Sequence, residues 1–594
     1  MENKIIDMMK KYSKLLVLVL FTLSGCEKFV EPDPQNNGDY SNIYDEPNLA
    51  HGLLLNGYTR IPTNGWSFND VATDDAVSND RNNNFSKIAR GQWTASLNPL
   101  DQWTNSRAAI QYLNMFLAEA DKVAWDTQDP MLNTMFKEKL KGEAHGLRAL
   151  FMFHMLQAHA GKLNGELYGF PIELLPESSL SDFNKPRAKF AECLKQINDD
   201  LDKAEELLPL DFVDVVAATD IPSKYSGVNT ATYNRVFGKL FSQRFTERIA
   251  KAIRSKVALL AASPAFNTAN TGWESAANSA AAVINLNGGV NGLATNGLTW
   301  YAGGAGNQID GLGSGTNPAE ILWRTAIFSN GDLEADHFPP TLSGRGRLNP
   351  TQNLVDAFSG VNGYPINNMA SGYSSASPYT NRDPRLTAYI LVNGGTAGPA
   401  ASPIYTATDR NTNDGLNKVE TSTRTGYYMR KLLRQDVNRA SNAISNQKHY
   451  RPHIRYTEMY LNYAEAANEA WGPMGTGSNT YSAYDVIKKI RQRAGIGLAN
   501  GDAYLESVKN DKNAMRTLIR NERRLELCFE GFRFWDLRRW NAALNEVASG
   551  MSISQTTYTP ITVENRNYQP FMIYGPVPYG EILKFNALQQ NTGW

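Results

Sequence analysis

The chain contains 594 residues, and its 59 lysine and arginine residues balance its 59 aspartate and glutamate residues. Zero net charge argues against a nucleic-acid-binding protein, which needs a basic face for the phosphates. Three cysteines, Cys26, Cys193 and Cys528, are too few for a disulfide framework or a four-cysteine zinc site. The mean hydropathy of −0.42 argues against a polytopic membrane protein.

The N-terminus has the pattern of a secretory signal. Four lysines precede an apolar run over residues 15–23. Nine helical residues rise about 14 Å, which is too short to cross a bilayer core of about 30 Å. The tetrapeptide LSGC that ends at Cys26 resembles a bacterial lipobox, in which the cysteine carries the lipid. We therefore expect a signal peptide over residues 1–25 and a lipid anchor at Cys26; an ordinary signal peptide with an incidental cysteine is the alternative.

The rest of the chain begins with a polar stretch and continues into helices. Residues 26–44 are rich in proline, asparagine and aspartate and are predicted to form a flexible tether. Apolar residues then recur at spacings of three and four, which predicts amphipathic helices. These predicted helices cover residues 140–158, 187–208, 247–262, 454–471, 483–494 and 513–530. We expect them to stack as helical hairpins similar to tetratricopeptide repeats, although the strict 34-residue period is not clean.

Long stretches rich in glycine, asparagine, serine and threonine separate these helices. They cover residues 61–106, 211–243, 263–320 and 340–425. Long segments without periodicity are usually functional insertions or disordered, and the tryptophans and tyrosines in these disfavour disorder. We therefore predict a mostly α body over residues 45–594 with a large irregular, loop-rich insertion. Its helical scaffold is expected at residues 107–262 and 450–594, and the loop-rich region at residues 61–106 and 263–425.

Several kinds of catalytic or nucleotide site are disfavoured. The glycines between residues 303 and 315 lack the G-K-[ST] ending of a phosphate-binding loop. No G-x-S-x-G sequence is present, so the hydrolase nucleophile elbow has no support. His145, His154 and His159 share one predicted helix without an H-E-x-x-H zinc motif, and we interpret them as core or surface residues.

The 59 carboxylate side chains leave one kind of catalytic site to consider. A glycosidase needs two of them about 5–10 Å apart, which the sequence alone leaves open. The acidic residues at 332–336 lack the glycine and distal glutamate of an EF-hand, so we interpret them as a solvated acidic loop. Glu522, Glu526 and Glu530 recur at helical spacing and are interleaved with arginines. Like charges on one helix face repel unless arginines pair with them, so we predict a structural ion-pair lattice rather than catalysis.

The C-terminal third carries a recognisable signature. Residues 520–540, RNERRLELCFEGFRFWDLRRW, closely resemble the signature of the SusD/RagB family of outer-membrane lipoproteins. Further segments agree with this family in the same order: GEAHGLRA at 142–149, RYTEMYLNYAEA at 455–466, IRQRAG at 490–495, PVP at 576–578 and QNTGW at 590–594. The resemblance covers nearly the whole chain after Cys26, and the lipobox is consistent with it.

This resemblance implies a non-enzymatic role. SusD-like proteins have a tetratricopeptide-like scaffold and lie as a lid over a partner β-barrel, a SusC-like TonB-dependent transporter. They capture oligosaccharides or polysaccharides at the cell surface and deliver them to that barrel. We therefore expect a surface-exposed lipoprotein of the outer membrane that binds glycan and needs no cofactor or metal.

The ligand site is expected on flat rings in the loops, because an aromatic ring offers the C–H face of a sugar a large apolar contact. Aspartate, asparagine and arginine side chains then bind the hydroxyl groups. Tryptophans within helical or motif segments are assigned to packing. The remaining candidates for ligand binding are Trp66, Asp74, Arg81, Trp93, Trp300 and Tyr301. We expect at least one of Trp93 and Trp300 to contact the ligand.

Three other functions stay open at this stage. A peptide-binding uptake lipoprotein like RagB would keep the fold and change the cargo. A surface glycan hydrolase would need a convergent carboxylate pair in a cleft. A purely structural subunit would dock on the transporter and bind nothing itself.

Overall fold

The computed structural model describes residues 40–62, 68–267, 271–302, 309–312 and 315–594. Within these ranges helices predominate, and the strands form two-stranded antiparallel ladders. The predicted mostly α, tetratricopeptide-like class is therefore confirmed. Among the described helices, none has the length and apolar character that crossing a membrane requires.

Seventeen α-helices occur in the described ranges. The first eight are α1 (Pro47–Arg60), α2 (Asn84–Lys87), α3 (Trp103–Glu119), α4 (Pro130–His159), α5 (Phe190–Leu207), α6 (Thr230–Phe237), α7 (Glu247–Ala262) and α8 (Trp273–Leu286). The others are α9 (Asp332–His337), α10 (Gln352–Ala357), α11 (Arg385–Tyr389), α12 (Tyr456–Trp471), α13 (Ala483–Arg493), α14 (Ala503–Val508), α15 (Lys512–Glu526), α16 (Arg533–Arg539) and α17 (Tyr579–Lys584).

The strands are short except for one C-terminal hairpin. They are β1 (Ala76–Ser78), β2 (Gly161–Leu163), β3 (Glu166–Tyr168), β4 (Ile321–Arg324), β5 (Phe328–Asn330), β6 (Leu348–Pro350), β7 (Ile390–Leu391), β8 (Thr396–Ala397), β9 (Ser402–Pro403), β10 (Tyr428–Met429), β11 (Gln447–His449), β12 (Pro452–Arg455), β13 (Ala548–Ser554) and β14 (Thr557–Glu564). The ladders β1–β6 and β5–β11 connect segments that are far apart in the sequence.

The long helix α4 illustrates how the scaffold is built. The side chain of Asp129 caps its N-terminus by accepting hydrogen bonds from the amides of Met131 and Leu132. Two glycines inside the helix let neighbouring side chains come close. A Cβ at Gly146 would lie 2.2 Å from the ring of Phe245, so any side chain there would displace that ring. The helix packs against α3 and α5, and all three contribute to one continuous apolar core.

One helix lies where the composition predicts an irregular region. Residues 273–286 form α8, and the ring of Trp273 at its start is buried. The buried alanines of this helix recur at spacings of one, three and four, but surrounding asparagine, serine and glycine obscure that pattern in the sequence. Its small side chains let α8 pack closely against α7 and α12.

The predicted ion-pair lattice is present, and its partners come from distant parts of the chain. Glu522 and Glu526 both contact the guanidinium group of Arg385, at 2.9 and 3.1 Å. Glu530 pairs with Arg455 at 2.7 Å and with Lys431 at 2.7 Å. The side chains of all these residues are almost completely buried, with at most 4% of their surface exposed. The lattice therefore joins the C-terminal helices to the loop-rich body.

The arginines between these glutamates pair elsewhere. Arg524 binds Asp75 at 2.6 Å and Asp74 at 2.9 Å, and Arg533 binds Asp74 at 2.8 Å. Burial alone would raise the pKa of Asp74, but the two guanidinium groups outweigh burial and hold that pKa well below its usual range. These pairs fasten the segment before β1 onto the scaffold.

Asp70 lies in the same segment and has a different environment. It accepts a hydrogen bond from the amide of Phe529 at 3.2 Å, and its other carboxyl oxygen has no hydrogen-bond partner among the described residues. Burial, followed by the negative charge of Asp75, raises the pKa of Asp70 to about 7. Asp70 is therefore protonated in the folded protein under mildly acidic conditions.

Replacing Arg385 by methionine tests the lattice. Arg385→Met keeps most of the side-chain volume but leaves Glu522 and Glu526 short of one cation, and breaking a buried pair in this way costs about 3–5 kcal/mol. We expect the free energy of unfolding in urea to fall by this amount. The control is Lys203→Met, which removes an exposed pair with Glu206 and should leave the midpoint unchanged. Equal midpoints for the two variants would contradict a structural role for the lattice.

Replacing Asp70 by asparagine tests its protonation. Because the pKa of Asp70 is higher in the folded protein than the ordinary value of 3.8, folding favours the protonated form. The stabilisation that results from this raised pKa is fully present below pH 4, decreases as the pH rises towards 7 and is lost above pH 7. Asp70→Asn mimics the protonated group, so at pH 8 it should raise the free energy of unfolding by about 2–4 kcal/mol, with little change at pH 4. Urea unfolding at both pH values checks this; a variant equally or less stable at pH 8 would refute it.

Candidate functional site

Two of the residues predicted from the sequence, Cys26 and Trp66, lie outside the described residues. The other candidates are placed by the structure, and most of them are buried. Their positions show which rings are available to a ligand and which are not.

Trp93 lies in a closed aromatic cluster. Its side chain is 3% exposed, and its ring makes edge contacts with Phe534, Tyr568 and Trp594 at centroid distances of 4.8–6.2 Å. The indole N–H donates to Asn98 Oδ1 at 3.1 Å. The expectation of an exposed ring is therefore wrong for Trp93, because its ring packs against C-terminal aromatic residues and its indole N–H is bonded to Asn98.

Trp300 and Tyr301 are also in the interior. Trp300 is 1% exposed, its ring lies 5.6 Å from that of Tyr450, and its carbonyl accepts a hydrogen bond from the Tyr450 hydroxyl. Tyr301 packs edge-on against Trp300, and burial raises the pKa of its hydroxyl well above its usual range. The expected exposure of this pair is wrong as well, since the core of the loop-rich body encloses both rings.

The two polar candidates, Asp74 and Arg81, differ in their exposure to solvent. Asp74 is buried in the ion pairs with Arg524 and Arg533, so its carboxylate is used in holding the chain and is turned away from solvent. Arg81 is exposed, and its carbonyl accepts a hydrogen bond from Arg90. Its neighbour Asp80, which belongs to the same polar stretch, lines a cleft in the loop-rich body.

We call this depression the aromatic cleft. It has a volume of about 530 Å³ and is lined by three phenylalanines, two histidines and a mixed set of acids, arginines and asparagines. Its lining residues are Phe68, Val71, Ser78, Asp80, Asn83, Phe85, Phe328, Asn330, Asp332, Leu333, Asp336, His337, Arg345, Arg347, Leu348, His449 and Arg451. A cleft of this size is typical of small-molecule and oligosaccharide sites.

Two short ladders bring the walls of the aromatic cleft together. Strand β5 pairs with β11 so that Phe328 lies opposite His449, and the two rings stack at 5.9 Å and 15°. Strand β1 pairs with β6 and places Ser78 opposite Leu348. Three segments that are widely separated in the sequence therefore meet around one opening.

Phe328 and Phe68 are two of the rings that line this opening. Phe328 is 41% exposed, which makes it one of the most exposed rings among the described residues. Phe68 adopts a left-handed backbone conformation with φ of 46°, which bulky residues rarely adopt and which is often found at ligand sites. This conformation directs the Phe68 ring towards His337, at a centroid distance of 4.5 Å.

Polar groups surround these rings. Asp336 pairs with Arg345 at 2.7 Å, and both side chains are about half exposed. Asp332 accepts a hydrogen bond from the Asn330 amide at 2.7 Å. Such a rim offers both donors and acceptors to a polyhydroxylated ligand.

The acidic residues at 332–336 form helix α9 instead of a solvated loop. Glu334 is fully buried: one carboxylate oxygen accepts a hydrogen bond from the Arg434 amide and lies 3.1 Å from His449 Nε2. Burial, followed by the charges of Arg345 and Arg347, lowers the pKa of His337 to about 3. Its Nδ1 has no hydrogen-bond partner within the described ranges, so a neutral imidazole is available at the wall of the cleft.

The phenylalanines of the aromatic cleft are not among the residues predicted from the sequence, whose aromatic members are tryptophans and one tyrosine. Phe328 directly follows Ala326 and Ile327, so its local sequence does not distinguish an exposed ring from a core ring. Of the polar stretch predicted to bind ligand, Asp80 lines the aromatic cleft, whereas Asp74 and Arg81 do not, and the exposed ring of the cleft comes from β5.

Two family models match the chain. One, described as the SusD family, matches residues 323–594, and the other, described as starch-binding and associating with the outer membrane, matches residues 48–225. Two curated proteins of Formosa agariphila are similar. SusD-like protein P38 is 37% identical over 15% of this chain and 17% of its own length, and SusD-like protein P25 is 25% identical over 43% and 41%. The chain thus aligns with less than half of the length of either relative.

Solved structures match over almost the whole chain. A SusD-like protein from Bacteroides fragilis covers 94% of this chain and 99% of its own at 23% identity, with a TM-score of 0.68. A SusD-like carbohydrate binding protein from the same species covers 92% and 100% at 20% identity, with a TM-score of 0.66. These likenesses establish the fold, the SusD family model spans the signature at residues 520–540, and the second model matches the N-terminal part of the helical scaffold. The chain belongs to the SusD/RagB family.

Proposed function

We propose that the protein is a cell-surface lipoprotein that captures oligosaccharide or polysaccharide in the aromatic cleft and passes it to a SusC-like TonB-dependent transporter. The observation that carries the binding role is the cleft itself, in which the exposed ring of Phe328 lies beside a rim of carboxylates, arginines and amides. A sugar ring has the complementary surface, with an apolar C–H face and a hydroxyl edge.

The charge pattern favours a glycan over a peptide. Three aspartates and three arginines line the cleft, so it offers neither an acidic nor a basic groove to a charged peptide. The phenylalanine rings are partly exposed, whereas an apolar peptide groove would surround them with further apolar side chains. Balanced charges beside partly exposed rings suit a neutral chain of hydroxyl groups.

The comparisons support this proposal. One similar structure is that of a SusD-like carbohydrate binding protein, and one matching family model is described as starch-binding and associating with the outer membrane. The transporter partner, the lipid on Cys26 and the position at the cell surface follow from the resemblance of the signal and of the C-terminal signature to this family.

Removing the ring of Phe328 tests the binding site. On a glycan array followed by calorimetry, Phe328→Ala should weaken binding of the best oligosaccharide about five- to thirtyfold, since stacking on one ring contributes on the order of 1–2 kcal/mol. The matched control is Phe183→Ala, because Phe183 is 40% exposed and lies outside the cleft. Equal losses in both variants, or none in Phe328→Ala, would refute the site.

The proposed role also excludes turnover. Incubation of the purified protein with the bound oligosaccharide should leave the number of reducing ends constant, because capture needs no covalent step. Accumulation of reducing ends that is abolished by replacing a cleft carboxylate, for example Asp336→Asn, would show a hydrolase instead.

Lipidation at Cys26 has a separate test. In the native bacterium, Cys26→Ala should release the protein from the outer-membrane fraction and remove labelling by a palmitate analogue, because acyl chains supply the membrane affinity. The wild-type protein should co-purify with a TonB-dependent transporter. Membrane retention of an unlabelled Cys26→Ala protein would contradict the anchor.

A further inference from the structure

A second depression opens beside the aromatic cleft, between the helical scaffold and the loop-rich body. We call it the scaffold cleft. It has a volume of about 210 Å³, and its walls come from α4, α7 and α12 on one side and from β12 and the segment before α16 on the other. Arg451 lines both clefts, so the two are neighbours.

Several charged residues that line the scaffold cleft are held in structural ion pairs. Arg455 is held by Glu530 at 2.7 Å, and Arg523 is held by Asp536 at 2.8 Å. Arg539 pairs with Glu465 at 2.6 Å. In these pairs the charge of each side chain is neutralised by a partner within the protein.

Two polar atoms of other residues that line the scaffold cleft have no hydrogen-bond partner within the described ranges. Glu458 is 2% exposed; Lys256 holds one of its oxygens at 3.1 Å, and the other oxygen has no hydrogen-bond partner in the described part of the chain. His154 Nδ1 also has none there. Buried polar atoms are normally hydrogen-bonded, and each exception needs an explanation such as a water or a ligand.

Aromatic rings form the remaining wall. Phe532 and Trp535 are half-buried and line the opening, and Lys256 Nζ lies 5.8 Å from the centre of the Phe532 ring. On the other side, the rings of Trp323 and His453 are in contact at 4.5 Å. The lining of the scaffold cleft therefore combines aromatic rings with two residues, Glu458 and His154, that each carry an unsatisfied polar atom.

The imidazoles here act as neutral hydrogen-bonding groups. Burial, followed by the positive charges of Lys256 and Arg451, lowers the pKa of His154 to about 3. Burial and the same two cations also lower the pKa of His453 to about 3. A neutral imidazole and a carboxylate oxygen are suitable partners for a hydroxyl group, which accepts from one and donates to the other.

Water alone is an incomplete explanation for this arrangement. A water molecule takes up about 30 Å³ in the liquid, so the scaffold cleft has room for several more than its two unsatisfied atoms need. Weakly held waters against partly exposed rings are readily displaced by a ligand that has both an apolar face and hydroxyl groups.

We infer that the scaffold cleft is a second carbohydrate subsite, which binds one sugar residue between the Phe532–Trp535 wall and the unsatisfied atoms of His154 and Glu458. This inference rests on the proposed function and extends it, because a glycan held in the aromatic cleft can place a terminal or branching residue past Arg451. The subsite would select glycans that present such a residue.

The variant His154→Leu tests the subsite without threatening the fold. Removing a buried polar atom that lacks a partner leaves stability equal or higher, so a loss of binding cannot be attributed to unfolding. The probes are D-glucose, D-galactose, D-mannose, D-xylose and L-rhamnose, measured by saturation-transfer NMR. The measurements use Phe328→Ala protein, in which the aromatic cleft is impaired.

We expect at least one of these sugars to bind Phe328→Ala protein, and His154→Leu in the same background to weaken that binding about tenfold, the loss of one hydrogen bond. The control is His51→Leu, since His51 is a half-buried histidine that lines neither cleft. The melting temperature of the His154→Leu protein should be equal or higher.

The outcomes separate the two proposals. Binding to the wild-type protein that disappears completely in Phe328→Ala overturns the second subsite and leaves the aromatic cleft intact. Unchanged binding in His154→Leu, or an equal loss in His51→Leu, also overturns it. Failure of all five sugars to bind the wild type overturns the subsite, whereas the proposed function is judged separately by the oligosaccharide array.

Discussion

The buried ion pairs of the C-terminal signature are the constraint on which the rest of the structure depends. Glu522 and Glu526 lie one turn apart on α15 and Glu530 follows the helix, and their charges are neutralised by Arg385 and Lys431 of the loop-rich body and by Arg455 of β12. A buried charge without its partner is strongly destabilising, so scaffold and insertion fix each other's position. In the same region, Arg524 and Arg533 hold the segment around Asp74, which in turn supports one wall of the aromatic cleft.

This arrangement separates two kinds of polar group. Carboxylates and arginines of the lattice have well-defined partners at 2.6–3.1 Å and are removed from solvent. Around the clefts, atoms such as His337 Nδ1, His154 Nδ1 and Glu458 Oε2 lack hydrogen-bond partners among the described residues, and so do a few lattice atoms such as Asp75 Oδ2. The lattice pairs maintain the shape of the protein, and the unpartnered atoms of the cleft residues leave hydrogen-bonding capacity for a bound molecule.

The fold could be predicted from the sequence much better than the site. Periodic apolar residues located both ends of α12 within two residues and the end of α4 within one, since burial of one face determines that pattern, but α4 begins ten residues before its predicted start. The exposure of rings could not be predicted in this way. Trp93 and Trp300 are covered by segments distant in the sequence, and Phe328 is exposed because β5 pairs with β11 at the edge of the cleft. Long-range pairing leaves no local signal.

The pairing of Asp74 and Asp75 with the C-terminal signature also bears on the order in which the protein assembles. Arg533 is 459 residues from Asp74, and Arg524 is 449 residues from Asp75. Contacts at such separations form late, because the intervening chain must first be synthesised and its loops closed. The helices of the first half have their own local contacts and can form earlier. One wall of the aromatic cleft is therefore completed only when the last helices dock. A chain that stops folding before that stage has the helices of its first half but an incomplete aromatic cleft.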